Sequence, residues 1–391
     1  MKPSVGDEIA KGLAPRLLAW YDENARDLPW RRVTDPYAIL VSEFMLQQTQ
    51  VQTVIPYFTA FMARFPDVRA LAAASVDEVL ALWQGLGYYR RARHLHQAAQ
   101  AIVARHDGVV PRSYQEVRAL PGVGEYTAAA VLSIAFDLPH PVLDGNVARV
   151  VARLLTIDDP VDQAPAKRRI RAFLERAMPA RRCGDFNQAL MELGATLCTP
   201  LSPRCGGCPV AQLCRARMEG RAAALPRKAG KERVRTEERT VAVVWRRDAV
   251  LVRRRPDEGL LGGLWEFPHR LGRGQDTVKA LLAEEIGLGA AAGTLTVRPL
   301  GRVEHRFSHL LWLLEAVEVE LGAASEAAAA GGEESAGPAM HGAGWAAEAG
   351  RAAGGATARW VPPAGVDALP LPRAMERVWS LARKRRAAPQ A

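Results

Sequence analysis

Cysteine is absent from residues 1–182, whereas five cysteines fall between Cys183 and Cys214. A disulfide framework scatters its cysteines along a secreted chain, so this clustering argues against one and favours a metal site. The sequence also contains no run of about 18 consecutive apolar residues, the length that a membrane-spanning helix needs. Because its first residues show no signal-peptide pattern either, we expect a cytoplasmic protein without a membrane partner.

The chain is long and basic. Its 391 residues exceed the usual size of one domain, so we expect two domains. Lys and Arg (52 residues) outnumber Asp and Glu (42 residues), which gives a formal net charge of +10. Such an excess favours a polyanionic partner, because each neutralised phosphate releases condensed counterions. Arginine-rich proteins without such a partner also exist, so the charge alone leaves nucleic-acid binding open.

Two regions of the chain differ in their residue pattern. In residues 1–217 apolar side chains recur at helical spacing between Pro- and Gly-containing turns, which predicts an all-α domain. Residues 218–239 are rich in Arg, Lys and Ala and are interpreted as an exposed linker. Residues 240–391 contain short β-branched runs and a helical segment, which predicts an α+β domain. Within it, residues 321–358 are mostly Ala, Gly, Glu and Ser and are predicted to be a disordered insertion.

Four cysteines within residues 198–214 have the spacing C-x6-C-x2-C-x5-C: Cys198, Cys205, Cys208 and Cys214. Four thiolates from one short loop suit a tetrahedral zinc ion or a cubane iron–sulfur cluster. Zinc sites usually consist of two C-x2-C pairs, whereas only one pair has that spacing here. The wider gaps favour the bulkier cofactor, with zinc and a chance spacing left as alternatives. Cys183 lies outside the pattern and is expected to be a buried thiol.

A glycine-rich turn, Leu120-Pro121-Gly122-Val123-Gly124, separates two helical segments. Its glycines allow backbone N–H groups to turn outward, and the next helix begins with a positive dipole end, so Gly122, Val123 and Gly124 suit a phosphate contact. The turn alone is equally compatible with a tight helix connection. Together with the four cysteines, it resembles the helix-hairpin-helix DNA glycosylase superfamily over roughly residues 8–217. The resemblance implies a DNA-binding, all-α fold and one 4Fe-4S cluster on the four cysteines.

One residue departs from part of this superfamily. Members that also break the DNA strand carry a lysine two residues after the last hairpin glycine, and its amine attacks the sugar to form a Schiff base. Here that position is Tyr126, and neither Glu125 nor Thr127 can replace the amine. The resemblance therefore implies a monofunctional glycosylase. A phenol at this position can still stabilise a developing sugar cation.

Two carboxylates are the candidate catalytic groups. Asp144 precedes an apolar helix and is an ordinary N-cap by pattern; in the superfamily the matching aspartate also faces the scissile sugar and stabilises its positive charge. Glu43 lies in residues 41–50, which resemble the signature of MutY-type adenine glycosylases. There the glutamate protonates N7 of adenine, and burial would raise its pKa for that task. Asn146 is expected to support the catalytic water or Tyr126.

The same resemblance implies two further sets of residues. The adenine pocket is expected to contain Arg26, Trp30, Arg31, Leu46 and Gln188. Contacts with DNA near the mispair are expected from Gln48, Thr49, Leu86 and Tyr88. Gln188 suits its place, because an amide can pair bidentately with an adenine edge. Tyr88 has the alternative of being a core aromatic residue at a helix end.

The second domain contains residues 261–268 and 284–288, which resemble fragments of a Nudix fold. A working Nudix site needs an Arg-Glu pair where this chain has Ala280 and Leu281, so pyrophosphohydrolase activity is not expected. In MutY-type proteins this degenerate module reads oxidised guanine, and the triplet Phe307-Ser308-His309 matches their recognition loop.

The sequence thus predicts an all-α helix-hairpin-helix glycosylase domain with an iron–sulfur cluster loop, followed by an α+β Nudix-like domain. The expected activity is hydrolysis of adenine from mispairs with 8-oxoguanine or guanine in double-stranded DNA, by a monomer. Two alternatives stay open. One is a bifunctional glycosylase-lyase of the endonuclease III type, and the other is a non-catalytic DNA mismatch binder.

Overall fold

The computed structural model describes residues 5–230, 234–256, 259–286, 295–307, 309–321, 349–351 and 357–387. These residues form two compact units, which are described separately. The first unit contains residues 1–82 and 91–231, and the second contains residues 83–90 and 232–391. Within the described ranges, no helix has the length and apolar character needed to cross a membrane.

The first unit is all-α, as the sequence predicts. Its helices are α1 (Val5–Asn24), α2 (Pro36–Leu46), α3 (Val51–Arg64), α4 (Val68–Ala73), α5 (Val76–Trp83), α6 (Arg90–His106), α7 (Tyr114–Arg118), α8 (Glu125–Phe136), α9 (Gly145–Leu155), α10 (Ala164–Ala177), α11 (Cys183–Thr196) and α12 (Arg215–Met218). Short 3-10 turns lie at Pro29–Arg31, Cys205–Gly207, Ala211–Leu213 and Ala222–Ala224. Buried apolar side chains of α1 and α8–α11 form one hydrophobic core.

Local capping places the helices that bear the candidate catalytic residues. Helix α2 begins at Pro36, and the preceding Asp35 carboxylate accepts hydrogen bonds from the backbone N–H groups of Tyr37 (3.1 Å) and Ala38 (3.2 Å). Residues 37–45 of α2 are all buried, so this helix runs through the interior and carries Glu43 with it. Hydrophobic burial on every face explains why its apolar residues show little amphipathic pattern.

The predicted linker, residues 218–239, is only partly a linker, and this prediction needs correction. Leu225 is buried, and its carbonyl accepts a hydrogen bond from Nε of the buried Arg153 at 2.9 Å. The carbonyl of Arg227 accepts another from the backbone N–H of Val161 at 3.0 Å. The first strand already begins at Arg235. Backbone carbonyls hold this segment against the first unit, and composition alone does not reveal such contacts.

The second unit is α+β, also as predicted. Its strands are β1 (Arg235–Arg246), β2 (Ala249–Arg254), β3 (Trp265–Glu266), β4 (His269–Leu271), β5 (Leu295–Arg306), β6 (Leu310–Leu321), β7 (Ala349–Arg351) and β8 (Thr357–Val361). Its helices are α13 (Gln275–Ile286), α14 (Pro363–Asp367) and α15 (Arg373–Ala387). The sheet order is β5-β6-β1-β2-β8-β7, with β3 paired to β2 and β4 paired to β1. Strands β1 and β6 run parallel, and the other pairs are antiparallel.

Alternate residues of β1 pack on opposite faces of this sheet. Val243 belongs to the core that contains Trp379 of α15, whereas Val244 belongs to the core that contains Leu281 of α13. Both faces of the strand are therefore covered by helices.

The predicted insertion, residues 321–358, lies largely outside the described residues. Of the part that is described, Leu321 ends β6, and residues 349–351 pair with β8 as strand β7. The prediction of disorder is wrong for these residues. Strand pairing satisfies their backbone hydrogen bonds without requiring large apolar side chains.

Candidate active site

A cavity of about 190 Å³ in the first unit brings together the predicted catalytic residues and the predicted adenine-pocket residues. Its lining includes the four predicted catalytic residues Glu43, Tyr126, Asp144 and Asn146. It also includes the predicted pocket residues Arg26, Trp30, Arg31, Leu46 and Gln188, and the predicted contact residue Thr49. A concave site with a few convergent polar groups is what a small ligand requires.

Glu43 is the buried acid of this cavity, with 4% of its surface exposed. Burial raises its pKa to about 7, because the charged form loses its hydration; the hydrogen bond with Tyr126 opposes this shift, and the charge of Asp144 adds to it. Its Oε2 atom has no hydrogen-bond partner within the part of the chain that the structure describes. Glu43 can therefore hold a proton near neutral pH and donate it into the cavity.

Asp144 is both an N-cap and a member of the cavity wall. Its Oδ1 accepts from the backbone N–H of Val147 at 2.7 Å, and its Oδ2 accepts from Nδ2 of Asn146 at 3.0 Å. Burial raises the pKa of Asp144, and these hydrogen bonds counteract the shift. Asp144 can therefore cap helix α9 and act in catalysis, because its carboxylate lines the cavity while it caps the helix.

Tyr126 lies in the cavity wall with Glu43 and Asp144. Its hydroxyl lies 3.2 Å from Sδ of Met191. Burial raises the pKa of the Tyr126 phenol well above its usual value, and the neighbouring Glu43 and Asp144 reinforce that shift. Tyr126 therefore stays a neutral phenol beside the two carboxyl groups.

Asn146 is fixed at both ends of its amide. Besides its bond to Asp144, its Oδ1 accepts from Nη2 of Arg149 at 2.8 Å. Nε of Arg149 in turn donates to the backbone carbonyl of Cys198 at 2.7 Å. Gly194 on α11 permits this packing, since a Cβ there would lie 2.6 Å from Cβ of Asn146. Arg149 thus joins Asn146, at the start of α9, to Cys198, the first of the four predicted cluster ligands.

Helix α11 contributes pocket residues that the sequence analysis did not identify. Gln188, Met191, Glu192 and Ala195 all line the cavity, but only Gln188 was predicted. Their spacing of three, four and seven residues places them on one helix face. Helical spacing from Gln188 could therefore have predicted Met191, Glu192 and Ala195 as pocket residues.

The predicted DNA-contact residues mostly lie outside the cavity. Gln48 is exposed and has a left-handed backbone (φ 58°), directly after α2. Nη1 of the buried Arg91 donates to the carbonyls of Phe44 (3.0 Å) and Met45 (2.8 Å), and its Nη2 donates to Oγ1 of Thr49 (3.0 Å). This arginine satisfies carbonyls at the end of α2 and holds the turn in place.

The glycine-rich turn at residues 120–124 and the segment between α5 and α6 contain the next five predicted DNA-contact residues. Gly122 has φ 72°, and a Cβ there would lie 2.4 Å from Cβ of His94, so the turn requires glycine. Val123 is buried, and Gly124 is exposed at the start of α8. Tyr88 is 50% exposed, whereas Leu86 is 6% exposed. Of these two, only Tyr88 presents a side chain to a partner in this structure, so a core position for Tyr88 is wrong.

The predicted recognition loop lies between β5 and β6 in the second unit. The ring of Phe307 packs edge-on against His305 (4.6 Å) and Trp312 (5.0 Å), measured between ring centres. His309 is exposed, and its carbonyl accepts from the backbone N–H of Arg235 at 3.2 Å. Ser308 lies outside the described residues.

The buried carboxylates of the Nudix-like unit do not suit the Mg²⁺ ion that a working Nudix site binds. Glu285 is buried and pairs with Arg253. Glu266, only 1% exposed, pairs with Arg253 (2.9 Å), Arg255 (2.6 Å) and His269 (2.9 Å). Burial opposes ionisation of Glu266, but the charges of His269 and the two arginines outweigh it and lower its pKa to about 2. Guanidinium groups therefore neutralise the carboxylates that a divalent cation would otherwise require.

This arrangement predicts a structural role for Arg253. Arg253→Met should destabilise the protein by about 3–5 kcal/mol in denaturant unfolding, because it removes the arginine that pairs with the buried Glu285 and one of the partners of Glu266. The matched variant Arg270→Met, which removes the half-exposed pair with Glu284, should cost less than about 1 kcal/mol. Millimolar Mg²⁺ should not change the stability of the wild-type protein. A stabilisation by Mg²⁺ beyond that of an ionic-strength control would contradict this account.

The four predicted cluster ligands line a single cavity in the first unit. Burial raises the pKa of Cys208 to about 11, and the three other thiols add to the shift. Such a set of thiolates is unfavourable without a metal centre to compensate its charge. Among the described residues, no three His, Cys, Asp or Glu side chains are arranged to hold a single metal ion. Four cysteine thiols that line one cavity fit a cubane iron–sulfur cluster, which is held by four such thiolates.

The buried Arg153 supports this cavity. Its Nη1 donates to Sγ of Cys198 at 3.2 Å and to the carbonyl of Thr199 at 2.8 Å. Hydrogen bonds of this kind orient a ligand sulfur and partly balance its charge. Cys183 lies outside the cavity and is fully buried, in agreement with its interpretation as a structural thiol.

Comparison with known families agrees with these features. Residues 41–179 match the model of the HhH-GPD superfamily of base excision DNA repair proteins, and residues 198–214 match the iron–sulfur binding domain of endonuclease III. Residues 240–381 match the NUDIX domain. A thermostable thymine-DNA glycosylase structure aligns with 27% identity and a TM-score of 0.50, over 55% of this chain and 100% of that one. Fold and site define a base excision DNA glycosylase that carries a 4Fe-4S cluster and binds DNA.

Individual relatives narrow the class. The adenine DNA glycosylase of Rattus norvegicus is 41% identical over 348 residues, which are 75% of this chain and 67% of the relative. That of Schizosaccharomyces pombe is 34% identical over 362 residues, with coverage of 75% and 78%. That of Homo sapiens is 39% identical over 350 residues, with coverage of 75% and 64%. The chain belongs to the adenine DNA glycosylase family.

Proposed function

We propose that this enzyme hydrolyses the N-glycosidic bond of an adenine that is mispaired with 8-oxoguanine or guanine in duplex DNA. The enzyme acts as a monomer, and it leaves an abasic site in an uncut strand. The observation that carries the proposal is the buried Glu43, with a pKa of about 7, in the same cavity as Asp144. An acid and a separate anion are the two groups that glycoside hydrolysis uses.

The target adenine must first leave the base stack, because its reactive atoms are inaccessible inside the duplex. In the cavity, Glu43 donates a proton to N7, which makes adenine a better leaving group. Asp144 and the neutral phenol of Tyr126 stabilise the positive charge that develops on the sugar. The Glu43 carboxylate then assists the water that completes hydrolysis, with Asn146 holding Asp144 in place.

The cavity disfavours a lyase reaction. Its lining residues, all of them in the described part of the first unit, include two arginines and no lysine. Without a nucleophilic amine no Schiff base with the sugar can form. A non-catalytic mismatch binder is disfavoured as well, because such a protein has no use for a buried acid with a raised pKa.

The cysteine segment is proposed to contact DNA phosphates. When bound, the 4Fe-4S cluster orders the loop between α11 and α12 and is not consumed in the reaction. Arg204, Arg215 and Arg217 flank the cysteines and supply positive charge to that loop. The hairpin is proposed to supply a second phosphate contact through the backbone N–H groups of Gly122 and Gly124. The N–H of Val123 is not part of this contact, because it donates to the carbonyl of Leu120 at 3.1 Å.

The pH dependence of base release tests the role of Glu43. Its acid form exists below the folded pKa of about 7, so the single-turnover rate should fall as pH rises through 7. Above that pH the rate should drop about tenfold per unit. An exposed glutamate would give this fall below pH 5 instead. A rate that stays constant from pH 6 to 9 would rule out proton donation by this carboxyl group.

The second unit is proposed to read the base opposite adenine. A Ser308→Ala, His309→Ala double variant should excise adenine opposite guanine at nearly the wild-type rate, while its preference for 8-oxoguanine falls by about tenfold or more, as loss of hydrogen bonds predicts. The experiment compares single-turnover rates on duplexes that differ only in the base opposite adenine: 8-oxoguanine, guanine or thymine. An unchanged preference in the variant would reject this recognition loop, and equal rates on all three duplexes would reject mispair specificity.

A further inference from the structure

One carboxylate in the cavity takes no part in the proton transfer described above. Glu192 on α11 is 1% exposed, and its oxygens are occupied by two arginines from the segment between α1 and α2. Its Oε1 accepts from Nε of Arg26 at 2.6 Å, and its Oε2 accepts from Nη2 of Arg26 and from Nη2 of Arg31, both at 2.9 Å. Buried ion pairs rarely stabilise a fold more than apolar residues of the same size. A functional explanation is therefore needed.

The two arginines are fixed more firmly than surface arginines usually are. Arg31 also donates from Nη1 to the carbonyl of Arg26 at 3.0 Å, and its guanidinium lies over the ring of Tyr21, 5.4 Å from the ring centre. Burial alone would raise the pKa of Glu192, but its hydrogen bonds and the charges of Arg26 and Arg31 lower it, so the carboxylate stays ionised. All three charged groups line the cavity.

A fixed guanidinium carries only hydrogen-bond donors, so it can distinguish an acceptor from a donor on a base. Ring atom N1 of adenine is an acceptor. In hypoxanthine and in guanine the same atom carries a proton and is a donor. An adenine that turns N7 towards Glu43 directs its six-membered ring, with N1, towards the other walls of the cavity.

We propose that Glu192 is a positioning residue for base specificity, which holds Arg26 and Arg31 so that a guanidinium N–H meets N1 of the extruded adenine and opposes the N1–H of guanine. The proposal rests on the assignment of this cavity as the adenine pocket. Removal of the Glu192 carboxylate takes away the group that fixes both arginines, so the N–H donor no longer lies in place for N1.

The test is a cycle of two enzymes and two substrates, measured as single-turnover base release opposite 8-oxoguanine. Wild type and Glu192→Gln are each compared on adenine and on 1-deazaadenine, in which N1 is replaced by a C–H group. Intrinsic differences between the two bases cancel in the cycle. We expect Glu192→Gln to slow adenine release by about 10- to 100-fold, the usual effect of losing a charged hydrogen bond. On 1-deazaadenine the same variant should slow release by less than about threefold, because the contact is already missing.

Two further variants make the result decisive. Asp22→Asn removes an exposed ion pair with Arg182 at the start of the same helix and should leave all rates within about twofold of wild type. Glu192→Asp keeps the negative charge, should retain part of the coupling, and replaces the glutamine variant if that one does not fold. Equal slowing of both substrates by the Glu192 variants would mean a structural role only and would overturn the proposal. Failure of the wild-type protein to release adenine would instead overturn the proposed function itself.

Discussion

Glu43→Gln is expected to lower the single-turnover rate of adenine release by about 10²–10⁴-fold, the usual contribution of a general acid. The amide is nearly isosteric with the carboxyl group, but its N–H groups are not acidic, so it cannot transfer a proton to adenine. We expect a large loss of rate because burial keeps Glu43 protonated near pH 7, whereas an exposed glutamate is ionised there.

Affinity for the mispaired duplex shows whether the Glu43→Gln protein is folded, independently of its rate of base release. Affinity should stay within a few-fold of wild type, because phosphate contacts supply most of it. Glu175→Gln, an exposed position on α10, is the matched control and should keep the wild-type rate. Release of adenine by Glu43→Gln at a rate close to that of the control would remove Glu43 from the mechanism.

Asp144→Asn is expected to slow base release by about 10²–10³-fold, as the loss of one transition-state electrostatic contact does. Asparagine is as good an N-cap as aspartate, so helix α9 should begin at the same place. The variant therefore loses the negative charge beside the sugar but keeps the local fold.

A second N-cap supplies the control for this experiment. The carboxylate of Asp67 accepts from the backbone N–H of Ala70 at 2.8 Å and caps α4, outside the cavity. Asp67→Asn should keep both the stability and the rate of the wild type. If Asp144→Asn and Asp67→Asn behave alike, Asp144 acts only as a cap.

Residues whose role depends on local sequence could be predicted in advance. The cysteine spacing, the hairpin glycines and the cap at Asp144 all lie within short segments, where pattern and structure correspond directly. Helical periodicity likewise predicted the all-α unit. Glu43 was predicted through its signature segment, and the structure adds the burial that raises its pKa.

Features that depend on distant contacts could not be predicted. Arg26 and Glu192 are 166 residues apart, and nothing in either segment indicates that they meet. Leu225 looked like part of a linker because its burial depends on Arg153, 72 residues earlier. The missing Arg-Glu pair of the Nudix site was visible in the sequence, but Glu285 lies on helix α13 and the arginine that neutralises it, Arg253, lies on strand β2. In each case the contact joins residues that are distant in the sequence and meet only in the folded protein.

The central claim is that this enzyme removes adenine without cutting the strand. The most direct test is single-turnover incubation with an adenine:8-oxoguanine duplex labelled on the adenine strand, analysed with and without hot alkali. The account predicts strand cleavage only after alkali, since an abasic site forms and no lysine is among the described residues that line the cavity. Cleavage without alkali would contradict the absence of lyase chemistry, and no cleavage under either condition, with tight binding intact, would contradict the assignment of a catalytic function.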